Sequence, residues 1–371
     1  MIDAQYMVRD SSELLSPSLL IYPRLVRHNL ETMIAMAHGP QRLRPHVKTH
    51  KMAEIVRLAE SLGIRKHKCA TIAEAEMVAA AGGADVLLSY PLVGPNVKRF
   101  IKLVRAYRHT VFRATVDHPD SARALSGAAV GVEQPIPVLL DLEIGMGRTG
   151  IAPGDGAADL YALVDRLPNL LPDGLHAYDG QIHDHDLATR RQTAQTGLAS
   201  ALALRERLLK LGLAVPRLVV GGTPSFPVHS ELDLPGVEFS PGTSVLADHG
   251  YGSKYPDLPF TPAALLLTRV VSHPAQGRLC LDLGHKAVAA DPAGPRVRLL
   301  EPEDARPVLH SEEHLVIETA EAESIAIGTP LLGIPTHICP TIALHRRVYV
   351  IEDGELTGQW EVSARDRVLG I

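Results

Sequence analysis

The feature that most constrains this chain is a rhythm. From Leu43 onward, short apolar runs alternate with longer segments of helical pattern. Strands are expected to begin near Leu43, His67, Asp85, Val111, Ile136, Gly174, Arg217 and Val237. Between them lie "TIAEAEMVAAAGG", where Thr71 can cap a helix and Gly82 can end it, then "NVKRFIKLVRAYR" and "LATRRQTAQTGLASALALRERLLKLG". Strands that alternate with helices pair in parallel, and eight such units close most economically into a TIM-like (β/α)8 barrel. An open doubly wound sheet is the competing arrangement. The absence of a glycine-rich dinucleotide fingerprint after the first strand weakens it.

After about Pro256 the pattern changes to "PAALLLTRVVSH", "GRLCLDLG", "RVRLLE" and "EHLVIETA", β-rich pieces joined by Pro and Gly without a long helix. "RRVYVIEDGELTGQWEV" reads as a hairpin turning at Asp353-Gly354. The expected organisation is a barrel over 23–255 and a C-terminal all-β domain over 256–371, with residues 1–22 as candidates to join the latter; the run "SLLIY" is open to either unit.

The chain's 371 residues are 46% apolar but only 4% aromatic, so its core must be built from Leu, Val, Ile and Ala. A formal charge of -5 gives no electrostatic case for nucleic acid or an anionic membrane. Cys69, Cys280 and Cys339 are far apart and make no disulfide framework. Neither a secretory pattern at the N-terminus nor an apolar run of spanning length is present, so the expected location is cytoplasmic.

In a parallel barrel, chemistry gathers where strands end. "LRPHVKTHK" delivers Lys48 to such an end between His46 and His50, where burial and neighbouring positive charge both disfavour a protonated amine. An amine there can form a Schiff base, for which pyridoxal phosphate is the commonest partner; a lysine whose charge escapes to solvent is the plain alternative. "DLEIGMGRTG" holds Arg148 beside Gly145 and Gly147, a fork for a phenolate or carboxylate or simply a surface arginine. "VVGGTPSFP" runs a strand into Gly221, Gly222 and Thr223, an anion cradle or an ordinary turn, and "FSPGTSVLAD" can add Gly242 and Thr243 as a second edge. "HAYDGQIHDHD" carries Tyr178, His183 and His185 and can supply a general base or another metal contact; His183 is a candidate catalytic residue, spacing does not tell which histidine is the base, and a solvated polar loop fits as well. In "IPTHICPT", read as extended chain, His337 and Cys339 share one face, and imidazole with thiolate favours zinc over magnesium or calcium. A buried cysteine beside a satisfied histidine explains the pair equally.

In order along the chain, "PSLLIY", "RPHVKTHK", "KCATIAEAEM", "GMGRTG", "GGTPSFP", "PGTSVLAD", "SEEH" and "PTHICPT" resemble the D-threonine aldolase and D-serine dehydratase family. Those are pyridoxal-phosphate enzymes of alanine-racemase-like fold, with an N-terminal barrel and a C-terminal β domain. The resemblance implies that Lys48 carries the cofactor and that Arg148 and Tyr178 lie near its ring. It places Gly222 and Thr223 at the phosphate. It also implies that His337 and Cys339 bind a divalent metal (zinc, manganese or magnesium) and that the protein is a homodimer acting on a small D-amino acid. The expected reaction is retro-aldol cleavage of a D-β-hydroxy-α-amino acid to glycine and an aldehyde. The alternatives are dehydration to a keto acid and ammonia, and a non-catalytic pyridoxal-phosphate-binding protein. The β-rich segment with His337 and Cys339 counts against the last.

Overall fold

The structure, a computed structural model, describes residues 3–371; Met1 and Ile2, at the head of the 1–22 stretch, lie outside them. The chain divides into two compact units. One comprises Glu31–Lys48, Ala53–Gly242 and Asp366–Ile371, and the other comprises the chain through Leu30, Thr49–Met52 and Thr243–Arg365. The first strand, β1 (Ser18–Ile21), belongs to the second unit.

The first unit is built on seven parallel strands: β2 (Lys66–Cys69), β3 (Asp85–Leu88), β4 (Val111–Val116), β5 (Ile136–Asp141), β6 (Leu170–Ala177), β7 (Leu218–Val220) and β8 (Val237–Phe239). They are hydrogen-bonded in sequence order. The expected parallel barrel is present, with helices between its strands. Thr71 caps its helix by accepting from Glu74 N, and Gly82 turns out of it at φ +95°. The strand expected at Leu43 is reduced to two isolated parallel bridges, Leu43 to Phe239 and His46 to Lys68. Arg44 N and His46 N donate towards β8, but Pro45 has no N–H to give β2, and a 3-10 turn over Val47–Thr49 follows at once. The segment still joins β8 to β2 and so closes the ring.

Alternation along the strands decides what fills the barrel. One fully buried layer is Leu87, Leu139 and Val219, from alternate strands β3, β5 and β7. Two residues earlier lie Asp85, the first residue of β3, and Arg217, just ahead of β7, members of a closed ring of ions at the N-terminal ends of the strands. Arg44 bonds Asp85 (2.7 Å) and Glu238 (2.6 Å), and Arg113 bonds Asp173 and forms an ion pair with Asp85 (both 2.6 Å). Arg217 links Asp173 to Glu238, which also holds Lys66 (2.6 Å). Asp173 and His176, three apart, both face inward because β6 shifts register at Gly174. That glycine has φ +132°, and a Cβ there would meet Arg217 O at 2.1 Å.

The second unit is a nine-stranded sheet. It adds β9 (Ala264–Ala275), β10 (Arg278–Leu281), β11 (Val297–Leu299), β12 (Arg306–His310), β13 (Leu315–Glu318), β14 (Pro330–Pro335), β15 (Arg347–Glu352) and β16 (Glu355–Glu361). β1 lies between β9 (antiparallel) and β15 (parallel). The β15–β16 hairpin turns at Asp353 and Gly354, both at positive φ. The unit is mostly β rather than all β, since helices form over His249–Lys254 and Ile338–Leu344. The packing division falls at Gly242/Thr243, ahead of the change in texture at Pro256. Among the described residues no helix is long and apolar enough to cross a membrane.

Candidate active site

At the C-terminal ends of the barrel strands lies a cavity of about 470 Å³, lined by His46, Lys48, Lys68, Asp141, Arg148, Thr149, His176 and Tyr178 among others. Lys48 is brought there by the turn that Pro45 starts, and its backbone N–H donates to His46 Nδ1 (3.3 Å). A guanidinium and two amines lie against one phenol ring: Arg148 at 5.2 Å, Lys68 at 5.3 Å and Lys48 at 5.8 Å from the centroid of Tyr178. Arg148 is aimed by its loop, where Glu143 accepts from Gly145 N and from Gly147 N (2.7 Å), and both glycines take positive φ.

Lys68 and His176 were not among the residues singled out in the sequence, yet they form the polar floor of this cavity. On β2, Lys66 and Lys68 point inward, the first into the ion ring and the second into the cavity, while His67 points out to Glu60 (3.0 Å). Lys68 Nζ meets His176 Nε2 at 3.4 Å. His176 Nδ1 bonds Asp141 Oδ1 at 2.7 Å, and Thr149 Oγ1 donates to Asp141 Oδ2 (2.9 Å). Burial, then the positive charges of Lys48 and Arg44, push the Lys68 amine down to about 7 against the pull of Asp141 and Asp179. Burial and Lys68 also lower His176, although Asp141 opposes them, and the His176 contact holds the Asp141 carboxyl low despite its burial. A buried lysine and histidine on the inner face of a parallel barrel, in place of aliphatic residues, is the signal that could have found them.

Beside the cavity, Gly222 packs on the Tyr178 ring so closely that a Cβ would lie 3.3 Å from Cε2. Gly221 has φ +76° and could carry no Cβ, which would fall 2.7 Å from His229. Asp179 fixes this loop from behind, accepting from Ser225 Oγ (2.8 Å) and bonding His229 Nε2 (2.6 Å), while Ser225 Oγ accepts from Gly222 N (3.1 Å). Gly242 N donates to Thr223 Oγ1 (3.2 Å), so the two glycine-bearing strand ends do meet. His183 is exposed on the loop after β6 and does not line the cavity.

In the other unit, the extended reading of "IPTHICPT" is corrected. β14 ends at Pro335, His337 is the N-cap of a helix and Cys339 is its second residue. Pro340 is tolerated there because N–H groups in a first turn have no carbonyl partner within the helix. Buried Asp248 accepts from Ile338 N (3.1 Å) and so anchors the turn. His337 Nδ1 bonds Asp291 Oδ2 (2.5 Å); burial works against its protonated form, but Cys339 and Asp291 outweigh it and raise the imidazole to about 9. Cys339 Sγ lies 3.2 Å from Thr49 Oγ1 and 3.5 Å from Thr243 Oγ1. Among the described residues no group of three or more His, Cys, Asp or Glu side chains is placed to hold a metal. A nitrogen and a sulfur donor, with a carboxylate behind the histidine, still suit a divalent ion that completes its coordination from outside the protein.

Two family models match the chain: the alanine racemase N-terminal domain over residues 21–245 and the putative serine dehydratase domain over residues 263–351. The chain is 30% identical to the D-threonine aldolase of Arthrobacter sp over 357 residues, 94% of this chain and 92% of the relative. It is 27% identical to the 3-hydroxy-D-aspartate aldolase of Paracoccus denitrificans (strain Pd 1222) over 370 residues, 96% of this chain and 94% of the relative. The crystal structure of D-threonine aldolase from Filomicrobium marinum superposes with a TM-score of 0.88 at 28% identity, over 95% of this chain and 96% of that one.

Proposed function

We propose, from the premise that this chain belongs to the alanine-racemase-like family of pyridoxal-phosphate-dependent D-amino-acid lyases, that it cleaves D-β-hydroxy-α-amino acids between Cα and Cβ. The products are glycine and an aldehyde. The carrying observation is the barrel-end cavity in which Lys48 and Arg148 flank Tyr178. Two amines, a guanidinium and a phenol ring suit a flat, anionic, carbonyl-bearing ligand. When bound, pyridoxal phosphate supplies an aldehyde carbon for an amine and a ring that accepts the electron pair left at Cα.

Lys48 is the residue we assign to that aldehyde, with its turn held by His46. Tyr178 and Arg148 orient the ring, and Gly222, Thr223 and Gly242 are assigned to its phosphate. His337 and Cys339 are assigned to a divalent metal, zinc, manganese or magnesium, which supplies a Lewis acid. His183, exposed on the loop after β6, is carried as the candidate general base. A homodimer belongs to the same reading. One observation favours a second reaction: the match to the putative serine dehydratase domain fits β-elimination to a keto acid and ammonia.

The deciding experiment gives D-threonine to protein loaded with cofactor and metal. Glycine and acetaldehyde are expected, L-threonine being a poor substrate, and borohydride should fix the cofactor on the peptide containing Lys48. Formation of 2-oxobutanoate and ammonia would transfer the protein to the dehydratase reading. No turnover of any D-β-hydroxy-α-amino acid would sink both, and a label on Lys51 or Lys286 would overturn the lysine assignment.

A further inference from the structure

The other end of the barrel has a pocket of its own. Its volume is about 440 Å³, close to that of the active-site cavity, and it lies wholly within the barrel unit. Its walls come from the N-terminal ends of β4, β5 and β6, the end of the helix over Pro95–Ala106 and the turn that leads into β5. Alternation puts Val111, Pro137 and Leu171 on the strand face that carries Arg113, Leu139 and Asp173 two residues further on. The three apolar side chains therefore lie just beyond the ion ring, at the barrel's base. Pro137 has a fixed φ and no N–H, so this wall is stiff as well as apolar. Val111 is 47% exposed and Leu171 49%. Apolar side chains exposed singly are ordinary, but these two converge on one hollow backed by buried Phe112.

The rim of this pocket is charged, and unevenly. Arg105 and Arg108 reach it from the helix end, against the single carboxylate of Glu133. Arg108 pairs with Glu133. Arg105 Nη2 donates instead to the carbonyl oxygen of Val130 (2.9 Å), and among the described residues no carboxylate pairs with it. That carbonyl fixes the guanidinium without neutralising it. A stiff apolar hollow with one preset, uncompensated guanidinium at its edge suits an amphipathic anion. We propose that the basal pocket binds a small monocarboxylate with an aromatic or branched apolar body, the carboxylate on Arg105 and the body over Val111, Phe112 and Leu171. An amine would meet like charge at the rim, and a phosphate monoester would bring two charges to one free guanidinium. The proposal is independent of the lyase reading, since no residue of this pocket lines the active-site cavity.

The probe is 4-phenylbutyrate, titrated into the full chain by calorimetry and followed by NMR on its ring protons. Binding is expected with a dissociation constant at or below about 1 mM, at a site that saturating pyridoxal phosphate does not empty. Arg105→Glu should weaken it roughly 10-fold or more, the loss of a charge-assisted contact. Leu171→Asp, which sets a carboxylate in the apolar wall, should do the same. Both positions are exposed. Should either variant fail to fold, the wild type still decides through a ligand series. Butyrate, which lacks the ring, and 4-phenylbutylamine, which reverses the charge, should each bind at least about 10-fold more weakly than 4-phenylbutyrate. Equal affinity for the amine would overturn the charge argument, and equal affinity for butyrate the apolar one. Displacement by pyridoxal phosphate would move the probe to the active-site cavity and refute the basal site, as would no binding by about 10 mM. Affinity kept within about threefold by both folded variants would refute it too.

Discussion

Asp179 never lines the cavity, yet at the scale of single residues it holds the glycine loop in shape. Its two oxygens bind Ser225 and His229, and all three side chains are buried. Asp179→Ala would leave a buried imidazole and hydroxyl without their partner, at about 1–3 kcal/mol each. Since Ser225 carries the Gly222 N–H, the loss should reach the residues assigned to the phosphate. Pyridoxal phosphate should bind roughly 10- to 100-fold more weakly by equilibrium dialysis, with Asp179→Asn milder, and an unchanged affinity would separate this network from the cofactor site. Such residues show where reading the sequence stops. That Lys48 reaches the cavity was legible because it follows the bridged segment at Pro45 inside a dense motif. Lys68, His176 and Asp179 meet partners on other elements, and spacing along one strand carries no record of those partners. Spacing singles out no base in the loop after β6 for the same reason: its composition offers His183 and His185, but not which of them acts.

At the scale of elements, parallel pairing and helix signals were legible because each depends on a local pattern: Thr71 as a cap, Asp353-Gly354 as a hairpin turn, apolar runs as strands. Two elements departed from expectation where proline changes the available hydrogen bonds. Pro45 thins the first strand to bridges, and Pro340 sits in a helical first turn that resembled extended chain. The ion ring is another property of elements, since Arg44, Asp85, Arg113, Asp173, Arg217 and Glu238 come from six different segments. Glu238 is 2% exposed and serves Arg44 and Lys66 at once. Glu238→Gln leaves the fully buried Arg44 guanidinium short of a counter-charge, and breaking a buried pair costs about 3–5 kcal/mol. Urea unfolding should register that loss. The ring lies at the strand ends opposite the cavity, so turnover per folded molecule should hold; equal stability of the variant would mean that solvent reaches Arg44.

At the scale of the whole molecule, the two units carry different chemistry. The barrel unit holds the amines, the guanidinium and the glycine loops, whereas the β unit holds the imidazole–thiol pair. No residue assigned to the cofactor is also assigned to the metal, so the two groups should come off independently. Chelation should abolish cleavage of D-threonine while the protein stays yellow and borohydride still labels Lys48. Adding back zinc, manganese or magnesium one at a time should restore the rate and identify the effective ion. His337→Ala and Cys339→Ala should each raise the metal concentration needed for half-maximal rate, because each removes one of two protein donors. His337 is the more telling variant. Its Nδ1 is occupied by Asp291, so only Nε2 remains for an ion, and Asp291→Asn should weaken metal binding by about 10- to 100-fold without contributing a ligand. Cofactor leaving together with the metal, or full activity in chelator, would refute the division of labour between the two units.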